Sequence, residues 1–387
     1  LTLHPTISFR KQGNGNEVKL RIESQGNFDD HLSLFNLPEN ISIYQLNKDA
    51  EIKISYNQDG LVNPTTRPFN QLIFEIKNAD IKSPALPYPV RNLHIIGNYN
   101  NGDMHGPETN NLIVDALNFK VEESFVDAQL IISNFIDPIV KGHFISEIDL
   151  DHILHEDIIN ASGKINIDLF FDGKISELQE LHLNNKQHAY GKILIDSVDI
   201  LFKKSKQHIR IPTAKISLDN HYIRIEDLKG EIMDSNIEIQ AELNNLDQFI
   251  LGRKTALFGN INITSDYFNL SSLNTANDTI KDNENNFRMP NVNLDLNIEA
   301  KKIEGGFGSI DHLIINGNLD HDTLNINNMT FDYQEGKIVS SLIIQLNQHD
   351  MPQIKRGKID AQFNKLNIDE LGNTSGNGND RTKTSFI

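Results

Sequence analysis

The sequence contains no cysteine and no tryptophan. The first absence excludes a disulfide framework and thiolate metal sites, and it is compatible with any redox compartment. The second, with aromatic residues at only 7%, argues against an outer-membrane barrel, whose alternating strands carry aromatic girdles. Basic residues are outnumbered: 36 Lys and Arg stand against 53 Asp and Glu, a formal charge of -17. Affinity for nucleic acid comes largely from neutralising phosphates, so this balance argues against a nucleic-acid partner and against anionic headgroups. The one compact basic run, "KKSK" at 203–206, reads as a solvated strand end. Long apolar runs are missing too. "AQLIISNFIDPIV" at 128–140 is interrupted by polar residues and falls short of the ~20 residues that a membrane-spanning helix needs. The chain begins at Leu1 without a charged start, apolar core and small-residue cleavage site, the pattern expected of a fragment or a trimmed mature form.

What is present is alternation. In "SNIEIQAELNNL", residues 235–246, Ile237, Ile239, Ala241 and Leu243 fall on one side and Asn236, Glu238, Gln240 and Glu242 on the other. Most of the chain repeats this period-two signature of strands with one apolar and one wet face. Clusters such as "KQGNGNE", "NQDG", "NYNNGD" and "LDHDT" predict turns between them. The best helical patterns, 175–183 and 245–252, are too short to shield a broad sheet. Residues 274–289 read as an acidic, asparagine-rich loop or linker, and the low-complexity tail from 372 as a flexible end.

Three segments align without a gap: "LIVDALNFKVEESFVDAQLIISNF" from Leu112, "IRIEDLKGEIMDSNIEIQAELNNL" from Ile223 and "LNINNMTFDYQEGKIVSSLIIQLN" from Leu324. Val126, Ile237 and Ile338 share one apolar column; Ala128, Ile239 and Ser340 the next; Leu130, Ala241 and Leu342 the third; Ile132, Leu243 and Ile344 the fourth. Each unit resumes at a glycine, Gly142, Gly259 or Gly357, read as a tight entry into a strand. "VRNLHIIGNYNNGD" at 90 and "IDHLIINGNLDHD" at 310 form a related opening. A repeat about 100 residues long points to several strands per unit. The expected organisation is an N-terminal β region at 1–89 continuous with three units, about 90–209, 210–289 and 290–371, and then the tail at 372–387.

Residues 215–273, "KISLDNHYIRIEDLKGEIMDSNIEIQAELNNLDQFILGRKTALFGNINITSDYFNLSSL", resemble the C-terminal region of AsmA-like proteins. There a strand pair leads into a short apolar helix and then a Gly-led strand ending in an aromatic-x-Asp/Asn-Leu element. The stretch 290–346 continues the pattern, and the resemblance covers about 140–371. It implies a periplasmic envelope protein of a Gram-negative bacterium, held in the inner membrane by an N-terminal helix that this sequence lacks. Similar TamB-type proteins curl their sheet into a groove that conducts lipids and supports outer-membrane assembly.

A sheet with one apolar face must bury it against helices, another sheet, itself or a ligand. Helices are scarce here. A closed sandwich would cover the face internally, whereas a curved open sheet would leave a trough. Lipid acyl chains suit such a trough: at ~0.8 kcal/mol per exposed methylene, a chain of about 16 carbons avoids on the order of 13 kcal/mol. The expected fold is therefore all-β, a long curved, mainly antiparallel sheet forming an open apolar groove from repeated multi-strand units, with few short helices. The lining residues are Val126, Ala128, Leu130, Ile132, Ile237, Ile239, Ala241, Leu243, Ile261, Ile263, Ile338, Leu342, Ile344, Ile359 and Phe363. The expected partner is a phospholipid or other acyl-chain lipid, carried by passive sliding. The alternative is a structural or adhesive sandwich or solenoid without lipid carriage.

Catalytic constellations are weak. "DLDHILHED" at 149–157 offers His152 and His155 among carboxylates, but the corresponding segments of the other repeats have no such cluster, so it reads as a solvated turn and not a metal site. "GGFGS" at 305–309 lacks the Lys-Ser/Thr of a phosphate loop, and no nucleophile elbow or zincin motif occurs. The expectation is a non-enzyme without cofactor or metal.

Overall fold

A computed structural model describes residues 2–13, 15–27, 45–46, 50–63, 66–82, 87–152, 158–176, 188–203, 207–219, 222–232, 234–245, 256–270, 291–305, 308–346 and 353–363. The fold is all-β. The strands are β1 (Thr2–Gln12), β2 (Gly15–Asn27), β3 (Gln45–Leu46), β4 (Glu51–Val62), β5 (Phe69–Lys82), β6 (Val90–Asn100) and β7 (Asn111–Val121). They continue with β8 (Ser124–Ser133), β9 (Ile139–Asp149), β10 (Ile158–Lys174), β11 (His188–Phe202), β12 (His208–Asp219), β13 (Tyr222–Ile232) and β14 (Ser235–Asn244). The last are β15 (Leu257–Ser265), β16 (Phe268–Asn269), β17 (Val292–Gly305), β18 (Gly308–Asp320), β19 (Thr323–Tyr333), β20 (Gly336–Gln345) and β21 (Gln353–Phe363). A 3₁₀ turn lies at Pro107–Thr109, and Ile175 and Ser176, the described start of the helix expected at 175–183, are helical. The proposed helices at 175–183 and 245–252, the 274–289 loop and the tail lie mostly or wholly outside them.

The chain forms two compact units, one of residues 1–153, 161–196 and 216–221, the other of 154–160, 197–215 and 222–387. In both, the sheet is open, curved and mainly antiparallel, and it does not close into a barrel. In the first unit β1, β2, β4, β5, β6, β7, β8, β9 and β10 pair successively and antiparallel, with the short β3 beside β5. In the second, β13, β14 and β15 are antiparallel, β15 and β16 both run parallel to β17, and β17 to β21 are antiparallel again. A parallel pair needs a return connection of a dozen or more residues, and the chain between Asn269 and Val292 is long enough to supply it.

The sequence repeat is also a repeat of backbone irregularity. The β7–β8 register slips between Val114 and Leu117, β13–β14 between Ile225 and Leu228, and β19–β20 between Ile326 and Met329. These positions coincide in the aligned segments. The two related openings match as well: β6–β7 slips between Arg91 and His94, and β18–β19 between Asp311 and Ile314. Within them Asn92 and His312 adopt the left-handed conformation, with φ of 51° and 53°. Each slip is a bulge, an extra residue that bends its strand and sharpens the local twist.

One predicted turn is not a turn. "NQDG", residues 57–60, runs inside β4, where Asp59 faces Lys19 on one side and Phe69 on the other. Pairing on both flanks overrides the local preference, and Gly60 accommodates it at φ 130°. "GGFGS" does join two strands, with Gly305 opposite Gly308.

Gly97 and Gly317 occupy the same place in the two openings, opposite Val114 and Ile326. A β-carbon on Gly317 would stand 2.3 Å from the Asn325 carbonyl oxygen, and one on Gly97 would stand 2.3 Å from the Phe74 ring. Gly317→Ala is expected to cost ~1–3 kcal/mol by overpacking. Gly142→Ala, whose added carbon would lie 3.3 Å from the Gln129 oxygen, is expected to cost less. Urea unfolding of both variants checks this, and equal midpoints would show that the close approach constrains nothing.

Candidate functional site

Cross-strand partners share a face, so the registers build rows of side chains across the sheet. In the second unit one row is Ile223, Leu243, Gly259, Leu294, Leu319, Leu324, Ile344 and Ile354. The next is Ile225, Ala241, Ile261, Leu296, Gly317, Ile326, Leu342 and Gly357. A third is Leu228, Ile239, Ile263, Ile298, Ile315, Met329, Ser340 and Ile359. Ser340 is the one polar residue in all three. The bulges keep the rows aligned, because each absorbs the residue that would otherwise turn the strand's apolar set to the other face.

The first unit repeats the arrangement. Ile54, Phe74, Gly97, Val114, Leu130, Gly142 and Phe171 make one row, and Ile52, Ile76, Ile95, Leu117, Ala128, Phe144 and Leu169 another. Bulk alternates with absence, as Phe74 lies beside Gly97 and Phe144 beside Ala128. Tyr56 stands in the adjacent row; burial, then Tyr99, raises its hydroxyl above the ordinary tyrosine range, and it donates to Asn70 Oδ1 at 3.1 Å.

The opposite face is charged. In the first unit Lys77 and Lys53 flank Glu75 at 2.6 and 3.5 Å, and the Lys77 hydrogen bond holds the Glu75 carboxyl below its usual range. Lys164 meets Glu147 at 2.7 Å, and His143 meets Asp168 at 2.7 Å. In the second unit Arg224 pairs with Glu242 at 3.2 Å and Lys301 with Asp266 at 2.6 Å. Asn236, also on this face, accepts from the Asp266 and Tyr267 amides at 3.0 and 2.8 Å. That bond clasps the break between β15 and β16. Such exposed pairs each add little stability, but together they identify the wet side.

Nothing among the described residues forms a second layer over the apolar face. No large side chain among the described residues is fully buried. The cluster around Leu257, Val292 and Leu294 is completed by Leu243, Ile261, Leu296 and Leu319, all on adjacent strands of one face. A second cluster, Ala300, Ile303 and Leu313 with Ile310, Ile315, Met329 and Phe331, is built the same way. Burial here comes from neighbours side by side in the sheet. Two open clefts lie chiefly among polar-face side chains: one of about 640 Å³ near Lys229, Glu238 and Lys301, and one of about 380 Å³ near His4, Lys53 and Glu75.

Val126, Ala128, Leu130 and Ile132 lie together on one face of β8 in the first unit. The other expected lining residues, Ile237, Ile239, Ala241, Leu243, Ile261, Ile263, Ile338, Leu342, Ile344, Ile359 and Phe363, lie on one face of the second. The residues not named from the sequence include Leu294, Leu296, Ile298, Ile315 and Phe74, outside the aligned segments, and Val114, Ile225, Leu228, Ile326 and Met329 within them. Their period-two pattern was the available signal. Gly142, Gly259 and Gly357 are not strand entries: they lie within β9, β15 and β21 opposite Leu130, Leu243 and Leu342. Of the 149–157 cluster, His155, Glu156 and Asp157 fall outside the described residues, and no group of metal ligands forms among those described. No family model matches the chain, and neither a curated protein nor a solved structure matches it.

Since the chain has no native cysteine, single introduced thiols report access to this face. Ile298→Cys and Ile315→Cys are expected to react with a maleimide in detergent-free buffer within about tenfold of the polar-face Ile314→Cys, because no layer must open first. Protection by several orders of magnitude would reveal a cover.

Proposed function

We propose that the protein is a non-catalytic lipid carrier of the AsmA type, acting in the periplasm of a Gram-negative bacterium and supporting outer-membrane assembly. Acyl chains lie along the apolar rows while the headgroup stays in water. The observation that carries this reading is the set of three rows in the second unit, unbroken from β13 to β21 save for Ser340 and without a protein layer above them among the described residues. A phospholipid is the partner that this chemistry favours. Its chains ask only for continuous apolar contact, which Ile, Leu, Ala and Met provide without a fitted pocket. The net charge of -17 favours zwitterionic over anionic headgroups.

No bond is made or broken in this scheme. Movement is a sequence of near-equivalent contacts, since a methylene leaving one row enters another of the same composition.

Mass spectrometry of lipids extracted from protein purified in mild detergent is expected to find phospholipid. Ile239→Asp and Leu342→Asp each set a carboxylate into a row and are expected to lower lipid carriage at least about tenfold, the equivalent of about 1.4 kcal/mol, with β-type circular dichroism retained. Lipid-free folded protein, or unaltered carriage in both variants, would refute the proposal.

A further inference from the structure

The two ends of the strands in the first unit differ in chemistry. β4, β6, β8 and β10 finish at one end, where β5, β7 and β9 begin. That end exposes large apolar side chains, Val62 at 39%, Met104 at 73%, Phe135 at 40%, Ile136 at 68% and Ile175 at 37%, beside exposed Lys11, Arg67, Asp103 and Glu108. The other end presents Glu51, Glu122, Glu123, Asp149 and Asp151 together with Lys82 and Arg91, and it also exposes Leu3 at 44% and Phe125 at 38%, well short of Met104 and Ile136.

The apolar tips are held by a knitted backbone. Phe135 N–H donates to Pro107 O at 2.8 Å, Asn134 N–H to Asn110 O at 3.0 Å and Ile175 N–H to Pro138 O at 2.8 Å. Asn101 Nδ2 donates to Pro68 O at 2.9 Å, and Asn70 N–H donates to Asn101 Oδ1 at 2.7 Å. The Phe135 ring leans on Tyr99 with centroids 6.0 Å apart. Each connection is thus tied to the next.

We infer that this end of the first unit seats in the surface of a zwitterionic lipid bilayer, with Met104, Phe135 and Ile136 reaching the acyl boundary. Three features select a bilayer. The tips come from separate connections spread from β4 to β10, roughly 29 Å at the usual strand spacing, which suits a broad planar surface. Polar loop residues stand between them, as in segments that lie at an interface without spanning it. Exposed Lys11 and Arg67 balance Asp103 and Glu108 at this end, and charges farther off are screened, which fits zwitterionic headgroups. The inference goes beyond lipid carriage and does not rest on it, since a surface can be docked on without yielding a lipid.

The full chain lacks tryptophan, so one introduced indole reports its own surroundings. Ile136→Trp and Met104→Trp are expected to co-float with phosphatidylcholine vesicles, shift emission to the blue and be quenched by brominated acyl chains. Glu123→Trp, at the charged end, is expected to co-float equally without shift or quenching. The double variant Met104→Ser/Ile136→Ser is expected to lose at least about tenfold in vesicle affinity while keeping its β-type dichroism. Unshifted emission at both rim positions, equal shift at position 123, or unchanged affinity of the double variant would overturn the inference. Lipid uptake without flotation would likewise reject bilayer docking, yet it would leave the carrier reading standing.

Discussion

A pleated strand sends successive side chains to opposite faces, so a chain that alternates leucine with glutamate is committed to one face that water does not favour. The ladder satisfies the backbone and the charged side satisfies the solvent. The apolar side is satisfied only in part, by neighbours in its own plane. The cluster of Leu257, Val292 and Leu294 is packed against Leu243, Ile261, Leu296 and Leu319, which lie beside it and not above it. From that unmet requirement follow the uncovered rows and the proposed acyl-chain occupant.

Keeping the rows in line over long strands is not automatic. A strand that curves gathers one residue too many or too few against its partner, and a single slip would turn its leucines outward. Bulges at Val114/Leu117, Ile225/Leu228 and Ile326/Met329 take up the difference at the same point of each repeat. The bulged positions hold Asp115 and Ala116 in the first repeat, Glu226 and Asp227 in the second, and Asn327 and Asn328 in the third. The irregularity is therefore as much a part of the repeat as the apolar columns are, and it leaves Leu117, Leu228 and Met329 on the apolar side.

The strands were legible because alternation is a local property: Ile237, Ile239, Ala241 and Leu243 declare the face of β14 without help from elsewhere. Register was not. Nothing near Gly259 states that it will face Leu243 and also Leu294, the latter across a parallel pair whose strands are separated by the chain from 266 to 291. "NQDG" carries turn chemistry, yet it is stretched by β2 and β5 on either side, a non-local effect that no window of sequence contains. The expected lining was incomplete for the same reason. It drew on aligned columns, whereas Leu296 and Ile315 join the face through partners and not through similarity.

Among the described residues, the strands of each unit pair with the strands beside them. Stability in such a stack is close to a sum of nearest-neighbour terms, as in other quasi-one-dimensional architectures. A hairpin can then be inserted or excised with the damage confined to the two ladders it touched. Reach becomes a quantity that gene duplication can lengthen in steps, and denaturation need not proceed as one all-or-none event.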